Sequence, residues 1–263
     1  MKSAYLIAVV MTAAAALLTA APCAHAHPRA VGYECRRVAA TWAHVVTVDL
    51  NDREVEVTLV LAHDDIGRAE PFASMIHRTR PDAAITGTFF GVKGLLPIGN
   101  LVRDGRLLYP VATGTTLAIT RDNRAVLLPT TAGKELDWTQ YPTALFSGPR
   151  LLRDSKLAVA PWAEGFTDPG HYRSARRTAV GITAHNKLLL VAVAHPISLT
   201  RLAWVMKGLG ARDAVALDGG SSTALHFRAH TVIYPARSLT NIIAVYATRR
   251  PGHMLAGVPT PAG

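Results

Sequence analysis

Apolar stretches in this chain are repeatedly cut short by pairs of turn-forming residues. Leu101-Val102 and Leu107-Leu108 flank Asp104-Gly105, and residues 116–120 and 125–128 flank Asp122-Asn123. Such pairs take up the backbone conformations of tight hairpin turns, so each predicts two antiparallel strands. Val55, Val57, Leu59 and Leu61 alternate with Glu54, Glu56, Thr58 and Val60, a period of two that buries one face. Residues 45–50 precede that run across Asn51-Asp52 and read as its hairpin partner. Residues 187–194 are almost wholly apolar, which suits a central strand. Residues 83–90 and 242–247 read as further strands.

Two segments carry helical spacing. Residues 71–80 place Phe72, Met75 and Ile76 together, and Pro81 stops them. Leu199, Leu202, Ala203, Met206 and Leu209 share one face, with Ser198 placed to cap the start and Gly208 or Gly210 to end it. This helix packs its apolar face on a sheet and feeds the strand that follows. The expected fold class is α+β: one domain with a largely antiparallel or mixed β-sheet core and a few packed helices. An apolar fraction of 49% is ample for one core, and no internal repeat or low-complexity tract divides it. The domain is expected over residues 27–250, followed by a loose Pro- and Gly-containing tail over 251–263.

The first 26 residues read as a signal peptide, with Lys2, an Ala-rich apolar run and the cleavage motif Ala24-His25-Ala26. The expected location is outside the cytoplasm, periplasmic or secreted, without stable membrane insertion after cleavage. Cys23 leaves with the signal, so Cys35 stands alone: a small buried hydrophobe in the commonest case, otherwise a reactive thiol or an intermolecular bridge.

The whole chain carries 28 Lys+Arg against 18 Asp+Glu. A basic balance attracts polyanions. No nucleic-acid fold motif accompanies it, and an export signal points away from nucleic acid; the charge reads either as a solvated basic surface or as steering of a phosphate- or carboxylate-bearing envelope polymer. None of the eleven histidines stands at zinc-ligand spacing, so no metal site is expected.

One apolar run, Ala214 to Leu217, ends abruptly in Asp218-Gly219-Gly220-Ser221-Ser222-Thr223. The run reads as a buried strand and the glycines as a forced turn. A carboxylate at a strand end, beside exposed N–H groups and hydroxyls, can hold an oxyanion. The plain alternative is a turn whose Asp and Ser side chains bond their own backbone.

Asp218-Gly219-Gly220-Ser221-Ser222 resembles the signature of the phosphodiester glycosidase family. Other blocks resemble that family in the same order. They are Ala84-Ile85-Thr86-Gly87-Thr88-Phe89-Phe90, Pro97-Ile98-Gly99 with Arg103-Asp104-Gly105-Arg106, Ser147-Gly148-Pro149-Arg150-Leu151-Leu152, Arg176-Arg177-Thr178-Ala179-Val180-Gly181, and Arg237-Ser238-Leu239-Thr240-Asn241. Thr86 departs from the pattern, standing where the family usually has Asn. The resemblance implies hydrolysis of a sugar–phosphate diester or a related acidic glycan, with Asp218, Arg177 and Arg237 as the catalytic candidates. Thr88, Gly219, Gly220, Ser221, Ser222 and Asn241 are the substrate-binding candidates. Arginine suits the phosphate because its planar fork matches oxyanions bidentately. Many glycosidases pair two carboxylates about 5–9 Å apart. Asp154, Glu164, Asp168 and Asp213 are candidates for the second by position alone, although a phosphate leaving group can depart without acid assistance. No cofactor is implied, and a divalent ion beside Asp218 stays open. A different class of function shares the same cleft: a non-catalytic protein that binds envelope polysaccharide. The oligomeric state is not legible.

Overall fold

The computed structural model describes residues 30–111, 114–130 and 136–248. The expected signal peptide and the 251–263 tail lie outside the described residues. Three sheets make up the fold, and every strand pairing in them is antiparallel. The first, of seven strands, runs in space Val31–Val38, Thr41–Asp49, Lys187–Ile197, Ala175–Thr183, Ala211–Ala216, Arg150–Arg153, Lys156–Leu157. The second, of five, runs His230–Ile233, Leu225–Phe227, Ala83–Thr86, Asn241–Tyr246, Glu56–Leu61. The third, also of five, runs Arg106–Tyr109, Leu101–Arg103, Thr143–Ser147, Thr115–Ile119, Ala125–Pro129.

The inner faces of the three sheets meet in one apolar core. Val46 and Leu190 come from the first sheet, Leu59 and Ile85 from the second, Leu117 and Leu145 from the third. Each is almost fully buried, and burial of such a side chain contributes roughly 1.5–3 kcal/mol. The outer face of the second sheet is covered by α1 (Phe72–Thr79), whose Phe72 and Met75 pack against Ala84, Ala244 and Tyr246. The outer face of the first is covered by α2 (Leu199–Gly208), whose Leu202, Val205 and Met206 pack against Ala179, Val191 and Ala214. Helices this short are marginal alone, so the sheets beneath them supply their stability. Ser198 caps α2 by accepting from the Arg201 amide, and Gly210 follows its end at φ +85°, as the sequence suggested.

The Asp104-Gly105 hairpin forms, with both residues at positive φ (55° and 72°), the signature of a type I′ turn. The hairpin across Asp122-Asn123 forms as well. Residues 45–50 and 54–61, by contrast, do not pair with each other. Thr41–Asp49 lies between Val31–Val38 and Lys187–Ile197, while Glu56–Leu61 pairs with Asn241–Tyr246 in another sheet. Asn123, arriving from the third sheet, sends its Nδ2 to the carbonyls of Leu50, Asp52 and Val55. The intervening turn is thereby pinned as a crossover between sheets. Strand 83–90 is also shorter than expected: pairing stops at Thr86, and only Phe90 forms a further isolated bridge, to Pro97. The helical share is small: among the described residues there are two α-helices and five single 3-10 turns, so the fold is dominated by antiparallel sheet. Cys35 is exposed on an edge strand, which corrects the buried expectation.

Candidate active site

Strand ends from all three sheets converge at Asp218. The amide of Asp218 donates to the Gly87 carbonyl at 3.2 Å, just past the end of Ala83–Thr86 in the second sheet. The amide of Gly148, just past Thr143–Ser147 in the third, donates to the Ala216 carbonyl at 2.9 Å. The Thr178 hydroxyl donates to the carbonyl of Asp218 itself. These contacts hold the main chain of the signature at the rim of the core.

The glycines have separate jobs. Gly220 sits at φ +57° and opens a single 3-10 turn, Gly220–Ser222. Gly219 runs so close to the neighbouring strand that a Cβ there would lie 2.9 Å from the Arg176 carbonyl. Gly87 is tighter still, since a Cβ would stand 1.9 Å from Asn241 Oδ1.

The Asp218 side chain is 8% exposed as a residue and lies in a closed set of contacts. Arg237 Nη2 donates to its Oδ2 at 3.0 Å, and Arg237 Nε donates to Ser222 Oγ at 2.6 Å. The Ser222 side chain and the Gly219 backbone also favour the ionised carboxylate. Burial raises the Asp218 carboxyl above the ordinary aspartate range, outweighing the opposing pull of Ser222, Arg237 and Gly219. The Arg237 guanidinium lies over the Phe90 ring, 4.3 Å from its centroid, a cation–π contact that holds its plane. Arg176 supports this arrangement from beneath, donating to the carbonyls of Thr223 and Tyr234.

Asn241 and Thr88 form a second element. Asn241 Oδ1 accepts from the Thr88 amide at 2.8 Å, and its Nδ2 donates to Thr240 Oγ1 at 2.9 Å. Both ends of the Asn241 amide are therefore engaged inside the protein. Thr88 Oγ1 is buried with no hydrogen-bond partner among the described residues, a costly arrangement unless a ligand completes it. Ser221 is exposed on the turn, and Thr86 is buried within its strand.

Arg177 is placed differently from Arg237. Its guanidinium is buried and donates to the carbonyls of Ile197, Gly170, His171 and Arg173. Burial lowers its pKa, and among the described residues it forms no ion pair. It braces the 170–173 loop, and the backbone beside Gly219, while Asp218 is left to Arg237.

A family model for phosphodiester glycosidases matches residues 79–246, from the end of α1 through the last strand. The chain belongs to the phosphodiester glycosidase family. Every residue described at the site lies inside that span. No curated protein sequence matches the chain. Among solved structures, a hypothetical protein from Synechocystis superposes with a TM-score of 0.66 at 16% identity, over 84% of this chain and 62% of that one. The chain thus spans less than two thirds of the Synechocystis protein. The catalytic domain of zebrafish N-acetylglucosamine-1-phosphodiester alpha-N-acetylglucosaminidase, auto-inhibited by its pro-peptide, superposes with a TM-score of 0.63 at 17% identity, over 82% of each chain. At such identities the two likenesses speak for the fold alone.

The contacts of the four positional candidates for a second carboxylate sort them. Asp154 and Asp213 sit in ion pairs with Arg212 and Arg150, toward the opposite end of strand Ala211–Ala216. Asp168 caps a 3-10 turn through the Gly170 amide. Glu164 is half-buried beside Gly148, with both oxygens accepting from the Arg150 amide, and burial pushes its carboxyl up. Next to it Phe89, Phe146, Phe166 and His171 form one aromatic group, with ring centroids 4.9–6.4 Å apart. The sequence reading did not single out Phe90, Thr178 or this aromatic group. Phe90 meets the Arg237 guanidinium, while adjacent Phe89 joins the aromatic group.

Proposed function

We propose that the chain is an exported hydrolase that cleaves a glycosyl phosphodiester, either a sugar–phosphate diester or a related acidic envelope glycan. The observation that carries this reading is Arg237 bridging Asp218 and Ser222 on the face of Phe90. Nη1 of Arg237 is claimed by no described residue, so the guanidinium can take a phosphate oxygen without releasing Asp218. In the reaction Asp218 accepts the proton of the attacking water as general base. Arg237 stabilises negative charge gathering on the departing phosphate monoester. The Thr88 hydroxyl donates to a phosphate or sugar oxygen, which satisfies its unpartnered state. The amides of Gly220 and Ser221, at the start of the 3-10 turn, make no backbone hydrogen bond among the described residues and add donors to the same oxyanion. Gly219 gives the turn its close approach, Ser222 orients Asp218, and Asn241 fixes Thr88. Arg177 acts through the loop that it braces.

Export rests on the charged start, the apolar run and the Ala24-His25-Ala26 motif. No helix among the described residues is long and apolar enough to cross a membrane. N-terminal sequencing of secreted protein tests this, with His27 as the expected first residue. For the activity, the test is turnover of a chromogenic sugar phosphodiester beside an uncharged glycoside of the same sugar. Turnover of the diester, lost in Asp218→Asn, is the expected result. Saturable binding of acidic polysaccharide with no turnover would replace the enzyme by a binding protein that uses the same cleft.

A further inference from the structure

A groove of about 470 Å³ opens between the turn end of the first sheet and the edge strand Ala125–Pro129 of the third. It lies toward the start of strand Ala211–Ala216, whereas Asp218 follows that strand's end. Asp213 and Asp218 are five residues apart, about 17 Å along an extended chain. Four arginines line the groove, Arg124, Arg150, Arg153 and Arg212, against two acids, Asp154 and Asp213.

The two acids are already neutralised within the cluster. Asp213 is 3.1 Å from Arg150 Nη1 and 3.7 Å from Arg212 Nε, and Asp154 is 2.7 Å from Arg212 Nη2. Arg153 forms no ion pair among the described residues, and Arg124 pairs with Asp122, which stands outside the groove. Arg150 anchors the floor: it is 8% exposed, and its Nε is buried with no acceptor. Among the described residues Arg153 is thus the one guanidinium of the four left without a carboxylate, and with the unmet donor of Arg150 it makes a concave site that an oxyanion completes, since the arginine fork matches oxyanion geometry. The basic balance of the chain draws such anions to its surface.

We infer that this groove is an oxyanion-binding site separate from the Asp218 cleft, taking a phosphate or carboxylate group that is either free or borne on an acidic glycan strand. The glycan-borne source rests on the function proposed above; the site itself does not. Calorimetric titration of the full chain with inorganic phosphate, and separately with polygalacturonate, tests it. Both are run in an Arg237→Ala background, which takes away the cleft's charged phosphate contact and leaves only its neutral donors, Thr88 and the turn amides. Saturable binding is expected, weakened about tenfold by Arg153→Gln and by Arg124→Gln, the loss of one charge-assisted hydrogen bond. Stronger binding of phosphate assigns the free anion, and binding of the polymer alone assigns the glycan strand. Arg150→Met should abolish binding; should that buried variant fail to fold, the two exposed variants decide. No saturable binding of either probe, or binding that both exposed variants leave unchanged, overturns the site. Arg124 and Arg153 lie outside the Asp218 cleft, so a loss in their variants reports the groove; failure of the groove leaves the proposed activity untouched, and loss of the activity leaves the groove standing.

Discussion

Arg237 Nη2 lies 3.0 Å from Asp218 Oδ2, in a pair whose aspartate side chain is 11% exposed and whose arginine side chain is 32% exposed. The acid is buried and the base reaches toward solvent. Desolvation therefore acts mainly on Asp218 and raises its proton affinity, while Arg237 limits the rise. A carboxylate held this way is a better base than a surface aspartate and is still positioned by its partner.

Asp218→Asn should lower kcat/KM on a sugar phosphodiester by about 10²–10⁴-fold, the usual contribution of a general base, with the fold retained. The main-chain bonds to Gly87 and Thr178 do not depend on the charge. A folded variant with parental turnover would reduce Asp218 to a turn residue.

The pH dependence follows from the same burial. Only ionised Asp218 accepts a proton, so the acid limb of kcat/KM should lie above the ordinary aspartate range. For stability the sign is opposite to that of a salt-bridged surface acid. Between the unfolded value and the raised folded value, the native state binds more protons than the unfolded one. This contribution to stability is full below that window and is lost as pH rises through it. Denaturant titrations run upward in pH from the ordinary aspartate value should show that decline in the parent and not in Asp218→Asn.

Arg237→Lys should reduce kcat/KM on the phosphodiester by about ten- to a hundredfold, and less on an uncharged glycoside. Lysine is a point charge that cannot donate to Asp218, Ser222 and a phosphate oxygen in one plane. Equal small losses on the two substrates would take Arg237 out of phosphate recognition.

Arg177→Lys should behave differently, losing stability by about 1–3 kcal/mol as carbonyls of the 170–173 loop and Ile197 lose their donor. Thermal unfolding should fall before any preference between charged and uncharged substrates changes. An unaltered melting temperature with a loss confined to the phosphodiester would instead make Arg177 a direct phosphate contact.

Gly87→Ala places a Cβ against an Asn241 amide that is bonded at both ends. Overpacking of this kind costs about 1–3 kcal/mol. The Thr88 amide should also lose its acceptor, which amide exchange at Thr88 would report as faster than in the parent.

Local chemistry was legible at many points. The Asp104-Gly105 turn, the Ser198 cap, the apolar face of α2 and the strand leading into Asp218 follow from residue type and spacing. Each depends on neighbours within a few positions. The hairpin expected across Asn51-Asp52 failed for the opposite reason. Its alternating pattern specified which face is buried and could not specify the partner, and Asn123, some seventy positions away, closes the turn as a crossover.

The candidate site divides along the same line. Sequence alone determined that Asp218 ends a buried strand on a glycine turn, because an apolar run and two glycines dictate that locally. Tertiary structure decided which arginine meets it. Arg177 and Arg237 are the same side chain with the same charge, and nothing within either segment distinguishes them. Arg177 is directed to the carbonyls of Gly170, His171, Arg173 and Ile197, whereas Arg237 is brought over Phe90 onto Asp218. The reason is physical: a guanidinium bonds whatever acceptors the packing of three sheets brings within about 3 Å, and that packing is a property of the whole chain.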